Sequence, residues 1–143
     1  MKITSPSFRD GENIPDKYTC YGQDTSPALL IQGIPSTAKT LAILVTDPDA
    51  PSGLWTHWIA YNIPLLSVIA EGSAPGEQGI NTDGARSYGG PCPPSGTHHY
   101  IFQVYALDTE LRFQSPPDNA AFMEAIAGHV VEAAQLTGLS THK

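Results

Sequence analysis

Two apolar runs separated by a proline corner set the tightest limit on how this chain can fold. Leu41-Ala42-Ile43-Leu44-Val45 is a short apolar stretch bounded by polar residues, the pattern of a buried strand running from Thr40 to Thr46. It runs into Thr46-Asp47-Pro48-Asp49-Ala50-Pro51, where two prolines end any strand because proline fixes φ and has no N–H to donate. The chain resumes at Trp55 and reads as a second strand to Ile63, with Trp55, His57, Ile59, Tyr61 and Ile63 on one face. Two carboxylates, Asp47 and Asp49, are thereby delivered at a strand end. His57 follows ten residues after Asp47.

A third long strand is expected at His99–Leu107, beginning at His98 if the pattern is followed back one residue. His98, Tyr100, Phe102, Val104 and Ala106 then share one side, and His99, Ile101, Gln103, Tyr105 and Leu107 the other. Both faces are largely apolar, as in a central strand covered on both sides. Before the corner, residues 1–16 read as an edge strand and a loop. Tyr18–Gly22 reads as a short strand, and Ala28–Ile31 as another. Between Glu71 and Thr97 lies a long Gly-rich connection, a length usually associated with function. Asp118 is a suitable N-cap for a late helix. Phe122, Met123, Ile126, Ala127, Val130, Val131 and Ala134 recur at helical spacing towards Gly138, which predicts Phe122, Ile126 and Val130 buried against a sheet.

These elements give a mostly β protein with one or two helices, folded as one domain over residues 1–143, a length that supports a core without staples. The formal charge of −7 repels phosphodiester backbones and argues against nucleic-acid binding. No apolar run is long enough to span a membrane, and the first residues lack the apolar segment of a signal peptide, so the expected location is cytoplasmic. Cys20 and Cys92 are the only cysteines. With no second pair to suggest a zinc site, two reduced, partly buried thiols are the expected state; a mutual disulfide is the alternative that sequence cannot decide.

Asp beside Pro is ordinary turn chemistry, and His57 alone reads as a hydrogen-bonded core histidine. Asp47 on the neighbouring strand is a suitable acceptor to orient it and favour its charged form. What raises a site is the convergence of that corner with Tyr88-Gly89-Gly90-Pro91-Cys92-Pro93-Pro94-Ser95-Gly96-Thr97-His98-His99-Tyr100. Glycines permit close backbone approach and prolines hold shape, so loop amides can point into a concavity beside His98 and Tyr100. Such a pocket suits a small anion. A metal site has no diagnostic ligand spacing, and adjacent His98 and His99 face opposite sides of a regular strand. No GxSxG elbow is present, and a Cys92–His98 pair lacks an orienting third member, so neither nucleophile nor cofactor is expected.

Three stretches stand out in combination: Thr19-Cys20-Tyr21-Gly22-Gln23-Asp24-Thr25-Ser26-Pro27-Ala28-Leu29, Asp47-Pro48-Asp49-Ala50-Pro51 with Trp55-Thr56-His57-Trp58, and Gly89-Gly90-Pro91-Cys92-Pro93-Pro94 leading to His98-His99-Tyr100. Together they resemble the phosphatidylethanolamine-binding protein family, in its bacterial and archaeal Raf-kinase-inhibitor-like branch. The resemblance implies a β-sandwich-like fold with a large central sheet, a smaller sheet and a C-terminal helix beside the pocket. It also implies a pocket for phosphate-like groups, including phospholipid headgroups, formed by Asp47, Asp49, His57, Gly90, His98 and Tyr100. His99 stands where the family commonly has arginine, which removes a fixed charge and a bidentate donor. The expected activity is non-enzymatic anion binding with a regulatory, kinase-inhibitor-like role towards a partner protein such as a kinase, and a homodimer is compatible with it. The alternative is a hydrolase or lyase acting on a small phosphorylated or carboxylated substrate in the same pocket.

Overall fold

The computed structural model describes all 143 residues. Eight strands form two sheets. The smaller sheet has three antiparallel strands in the order β1 (Lys2–Thr4), β2 (Leu29–Gln32), β5 (Val68–Ile69). The larger has five, β6 (Glu77–Gln78), β4 (Trp55–Ile63), β3 (Thr40–Asp47), β7 (Thr97–Leu107) and β8 (Val130–Thr141), in that order. The three long strands read from the sequence are β3, β4 and β7, with ends within two residues of expectation.

Why both faces of these strands are apolar follows from the layering. Between the sheets lies one core containing Ile3, Leu29, Ile31 and Ile69 from the small sheet and Leu41, Ile43, Val45, Trp58, Phe102 and Val104 from the large one. A second core covers the opposite face of the large sheet, where Ala42, Leu44, Ile59, Tyr61 and Tyr105 meet Phe122 and Ile126 of the single α-helix, α1 (Asn119–Ile126). Asp118 caps that helix, its carboxylate accepting from the Ala121 N–H at 2.9 Å.

The helix is shorter than its periodicity suggested. Gly128 adopts φ +81°, and from Val130 the chain is strand β8, paired antiparallel with β7 over almost its full length. Phe122 and Ile126 are buried as expected, but Val130 is exposed. Long-range pairing beside β7 outweighs a helical repeat that carried two adjacent β-branched valines. The structure therefore ends in a strand, with the helix before it. Gly138 is a packing position and no helix cap, since a Cβ there would run into Ile14 and Phe8.

Tyr18–Gly22 is likewise no strand. Pro15 leads into a 3-10 turn at Asp16–Tyr18, followed by a turn in which Gly22 N–H donates to Thr19 at 3.1 Å. Strand β4 departs from simple alternation twice. Leu41 pairs with Ile63 but Ile43 with Ala60, placing an extra residue near Asn62, whose φ is +53°. Val45 pairs with Trp58 and Thr46 with Thr56, so His57 is the extra residue of a second bulge. Ile63 consequently packs with Trp58 in the inter-sheet core, separated from Ile59 and Tyr61.

Candidate functional site

The second bulge matters because β3 ends where β4 and β7 begin, so one end of the large sheet gathers Asp47, His57, His98 and Tyr100. An alternating strand would send His57 with Ile59 towards the helix. The bulge turns it to the other face, where its ring lies 5.2 Å from the Tyr100 ring, edge-on. A cavity of about 480 Å³ opens there, lined by Asp47, Ala50, Pro51, Ser52, Trp55, His57, Asp83, Gly90, Cys92, Pro94 and Tyr100.

The six residues named from sequence divide into two sets. Asp47, His57, Gly90 and Tyr100 line the cavity; His98 and Asp49 do not. His98 sits behind Asp47, its Nδ1–H donating to Asp47 Oδ2 at 2.6 Å with both side chains buried. The other oxygen, Oδ1, accepts from the Asp49 N–H at 2.8 Å and closes the proline corner on itself. Asp49 turns outward to His99, accepting from its backbone N–H at 2.8 Å and its Nδ1–H at 2.7 Å. The side-chain bond to His99, then the backbone one, hold the Asp49 carboxyl below the usual carboxylate range. His98 and His99 thus face opposite sides, each holding one carboxylate of the corner.

His57 is held differently from expectation. Its Nδ1–H donates to the Gly89 carbonyl at 2.7 Å, leaving Asp47 to His98. Burial lowers the His57 pKa, outweighing the Gly89 carbonyl and the nearby Asp47 and Asp83 charges that raise it. With Nδ1 committed as donor, neutral His57 keeps an accepting lone pair at Nε2. Tyr100 is wholly buried, and its hydroxyl makes no hydrogen bond within the protein. Burial first, and the Asp47 charge second, push that phenol upward; the same carboxylate adds a weak pull on the hydroxyl without meeting hydrogen-bond geometry, so the phenol remains a donor at neutral pH.

The loop amides are mostly spent. Gly89 N–H donates to the His57 carbonyl at 3.0 Å and Gly90 N–H to Asp24 Oδ1 at 2.7 Å. Asp24 adopts φ +56° to reach that position. Gly90 itself has no room for a side chain, because a Cβ would collide with the Tyr18 carbonyl and the Asp24 carboxylate. Cys92 and Cys20 form a disulfide, against the expectation of free thiols. Their Cα atoms lie 5.4 Å apart, a juxtaposition across 72 residues of chain that no spacing could reveal.

Sequence reasoning passed over Asp83, Asp24 and the cavity-facing role of Trp55. Asp83 lies in Asn81-Thr82-Asp83-Gly84, which reads as a turn and nothing more. The lining holds two carboxylates and neither lysine nor arginine. No group of three or more His, Cys, Asp or Glu side chains is arranged to hold a metal ion.

A layered pair of sheets with a polar end is a common scaffold, but this corner, bulge and Gly/Pro wall are a specific combination. The chain belongs to the phosphatidylethanolamine-binding protein family, whose sequence pattern it matches over residues 4–141. It is similar to a UPF0098 protein of Methanothermobacter thermautotrophicus, 44% identical with 97% of each chain covered. A UPF0098 protein of Chlamydia muridarum is 45% identical, with 96% of this chain and 97% of that one covered. Among solved structures, a candidate phosphatidylethanolamine-binding protein homologue from Chlamydia trachomatis superposes with a TM-score of 0.95 at 40% identity, covering 99% of this chain and 97% of the other. Escherichia coli YbcL, described as a new member of the mammalian family, gives 0.91 at 31% identity, covering 99% and 98%.

Proposed function

We propose that the cavity at the end of the large sheet binds a small phosphate-like anion, free or as a phospholipid headgroup, without turning it over. The observation that carries this reading is the Tyr100 hydroxyl, a buried donor with no partner in the protein and a place in the cavity lining. The Cys92 N–H, flanked by two prolines, is a second donor with no partner. His57 Nε2 supplies an acceptor. Asp47 and Asp83 oppose a dianion, so the form that fits is a monoanion: free phosphate or a phosphomonoester keeps one P–OH that donates to His57, whereas a phosphodiester headgroup is a monoanion at any pH and meets only the donors. His98 acts through Asp47, holding the Oδ2 of that carboxylate in place at the cavity wall.

This differs from a protonated histidine gripping a phosphate, yet affinity has the same pH direction. A phosphomonoester loses its last proton near pH 6, so binding weakens as pH rises. Calorimetric titration with inorganic phosphate and O-phosphorylethanolamine at pH 5.5 and 8 tests it. Affinity at least fivefold higher at pH 5.5 is expected; equal affinity, or none at either pH, refutes the reading. A hydrolase or lyase remains the second reading, favoured by the buried Asp47–His98 pair beside the cavity. Turnover of phosphomonoester and ester panels at a rate lost in Asp47→Asn would replace the first reading with it. A regulatory role towards a partner such as a kinase, a homodimeric state and a cytoplasmic location extend from the family resemblance and composition. No helix is long and apolar enough to cross a membrane.

A further inference from the structure

One wall of the cavity is formed by the Gly89–Pro94 stretch, through Gly90, Cys92 and Pro94, and the chemistry of that stretch makes it unusually dependent on one covalent bond. Three of its six residues are prolines and donate no hydrogen bond. Its amides at Gly89 and Gly90 are used at the upstream end, and the Cys92 N–H is free. Downstream, the stretch is held only as an acceptor: Pro91 by the Cys20 N–H at 3.1 Å, Pro93 by His142 Nδ1 at 2.9 Å and, more weakly, by the Tyr21 hydroxyl at 3.4 Å. The Cys20–Cys92 disulfide supplies what the missing donors cannot. It ties the wall to the same turn that anchors Tyr88, whose hydroxyl donates to the Tyr18 carbonyl at 2.7 Å.

A bond serving only as a core staple would be shielded. Here both cysteines are exposed, neither lies in a regular element, and Cys92 lines the cavity. Exposed disulfides are open to attack by a thiolate and are the ones that exchange.

We propose that the Cys20–Cys92 disulfide is a redox-sensitive clasp on the cavity wall, opened by dithiol reductants, so that the shape of the cavity follows the thiol state of its surroundings. A thiolate of the dithiol attacks one sulfur and the other cysteine departs as a thiolate. The second thiol then resolves the mixed disulfide, leaving two protein thiols and one oxidised dithiol, a two-electron exchange. Reduced, the 91–94 stretch keeps three acceptor contacts and no covalent hold, and the stitching at Gly89, Gly90 and Cys20 loosens with it. The clasp concerns the wall itself and stands apart from which ligand the cavity takes.

The test compares the oxidised protein, the protein reduced by dithiothreitol, and a Cys20→Ser/Cys92→Ser double variant, with bridging checked by mass. Amide hydrogen exchange at Gly89, Gly90 and Cys20 is expected to quicken at least tenfold on reduction, while amides of β3 and β7 stay protected over the same minutes. The double variant should match the reduced protein and ignore reductant. Exchange at those three amides unchanged within twofold, or protection lost equally across β3 and β7, overturns the clasp. Inorganic phosphate should bind the reduced form at least fivefold more weakly at pH 5.5. Equal binding by both forms overturns redox control of the cavity. Phosphate bound by neither form counts against the anion reading alone, and the exchange rates then decide the clasp.

Discussion

Replacing Tyr100 by Phe separates a ligand donor from a structural one, because the two roles predict opposite signs. The hydroxyl is fully buried and unpaired, and an unsatisfied buried polar group costs about 1–3 kcal/mol. Phe fills the same space against His57 and His98, whose rings lie 5.2 and 6.4 Å from the Tyr100 ring. The ligand-free variant should therefore be more stable by about 1 kcal/mol, or roughly 2–4 °C in thermal midpoint for a chain of this size. Binding should move the other way. A hydrogen bond to a charged acceptor contributes about 1.5 kcal/mol or more, so the phosphate Kd should rise roughly tenfold. Urea unfolding in phosphate-free buffer and calorimetric titration measure the two. A variant less stable than the parent would mean that the hydroxyl is paired in the folded protein. A variant with unchanged Kd would mean that the ligand never meets it.

Ile126→Ala should cost about 2–5 kcal/mol, whereas Val130→Ala, on an exposed strand position, should change stability by less than about 0.5 kcal/mol; urea midpoints that rank the two alike would restore the longer helix. Gly90→Ala should destabilise by about 1–3 kcal/mol, since its methyl meets backbone and a carboxylate that also caps the Gly90 amide, and thermal unfolding reads it. His57 has a folded pKa below its ordinary value of 6.5, so the unfolded chain takes the proton first. Ligand-free stability should accordingly fall as pH drops from about 6.5 towards the folded pKa, and the fall should be shallower in His57→Asn; ring titration by NMR above 6.5 would contradict it.

Most of the large sheet was legible because β3, β4 and β7 carry their own signals, apolar on both faces and punctuated by proline and glycine. The errors have one physical origin, which is information held by distant partners. Val130–Ala134 has helical spacing locally, but its fate is decided by β7, and only Gly128 after Ile126-Ala127 hinted at the stop. The tyrosines of Tyr18–Gly22 favour strands in general, yet no strand lies alongside to pair with them, and Pro15 starts a turn. In the site, residue types were readable and their pairings were not. Which histidine takes Asp47 depends on a bulge that one skipped register creates, and alternation could not show it. The disulfide and the consumption of the Gly89 and Gly90 amides by His57 and Asp24 are likewise facts of the folded chain.

The bulge at His57 also makes chain length itself a determinant of the site. Strand β4 reaches its partner β3 in three registers, one at Ile63, a second from Ala60 to Trp58 and a third, offset by one further residue, at Thr56 and Trp55. Removing one residue between Trp55 and Trp58 would let the last two registers merge into one regular ladder from Ala60 to Trp55, leaving only the bulge near Asn62. The result would keep the two cores and lose the imidazole from the cavity. A variant of this chain lacking Thr56 should therefore keep the scaffold and lose the chemistry.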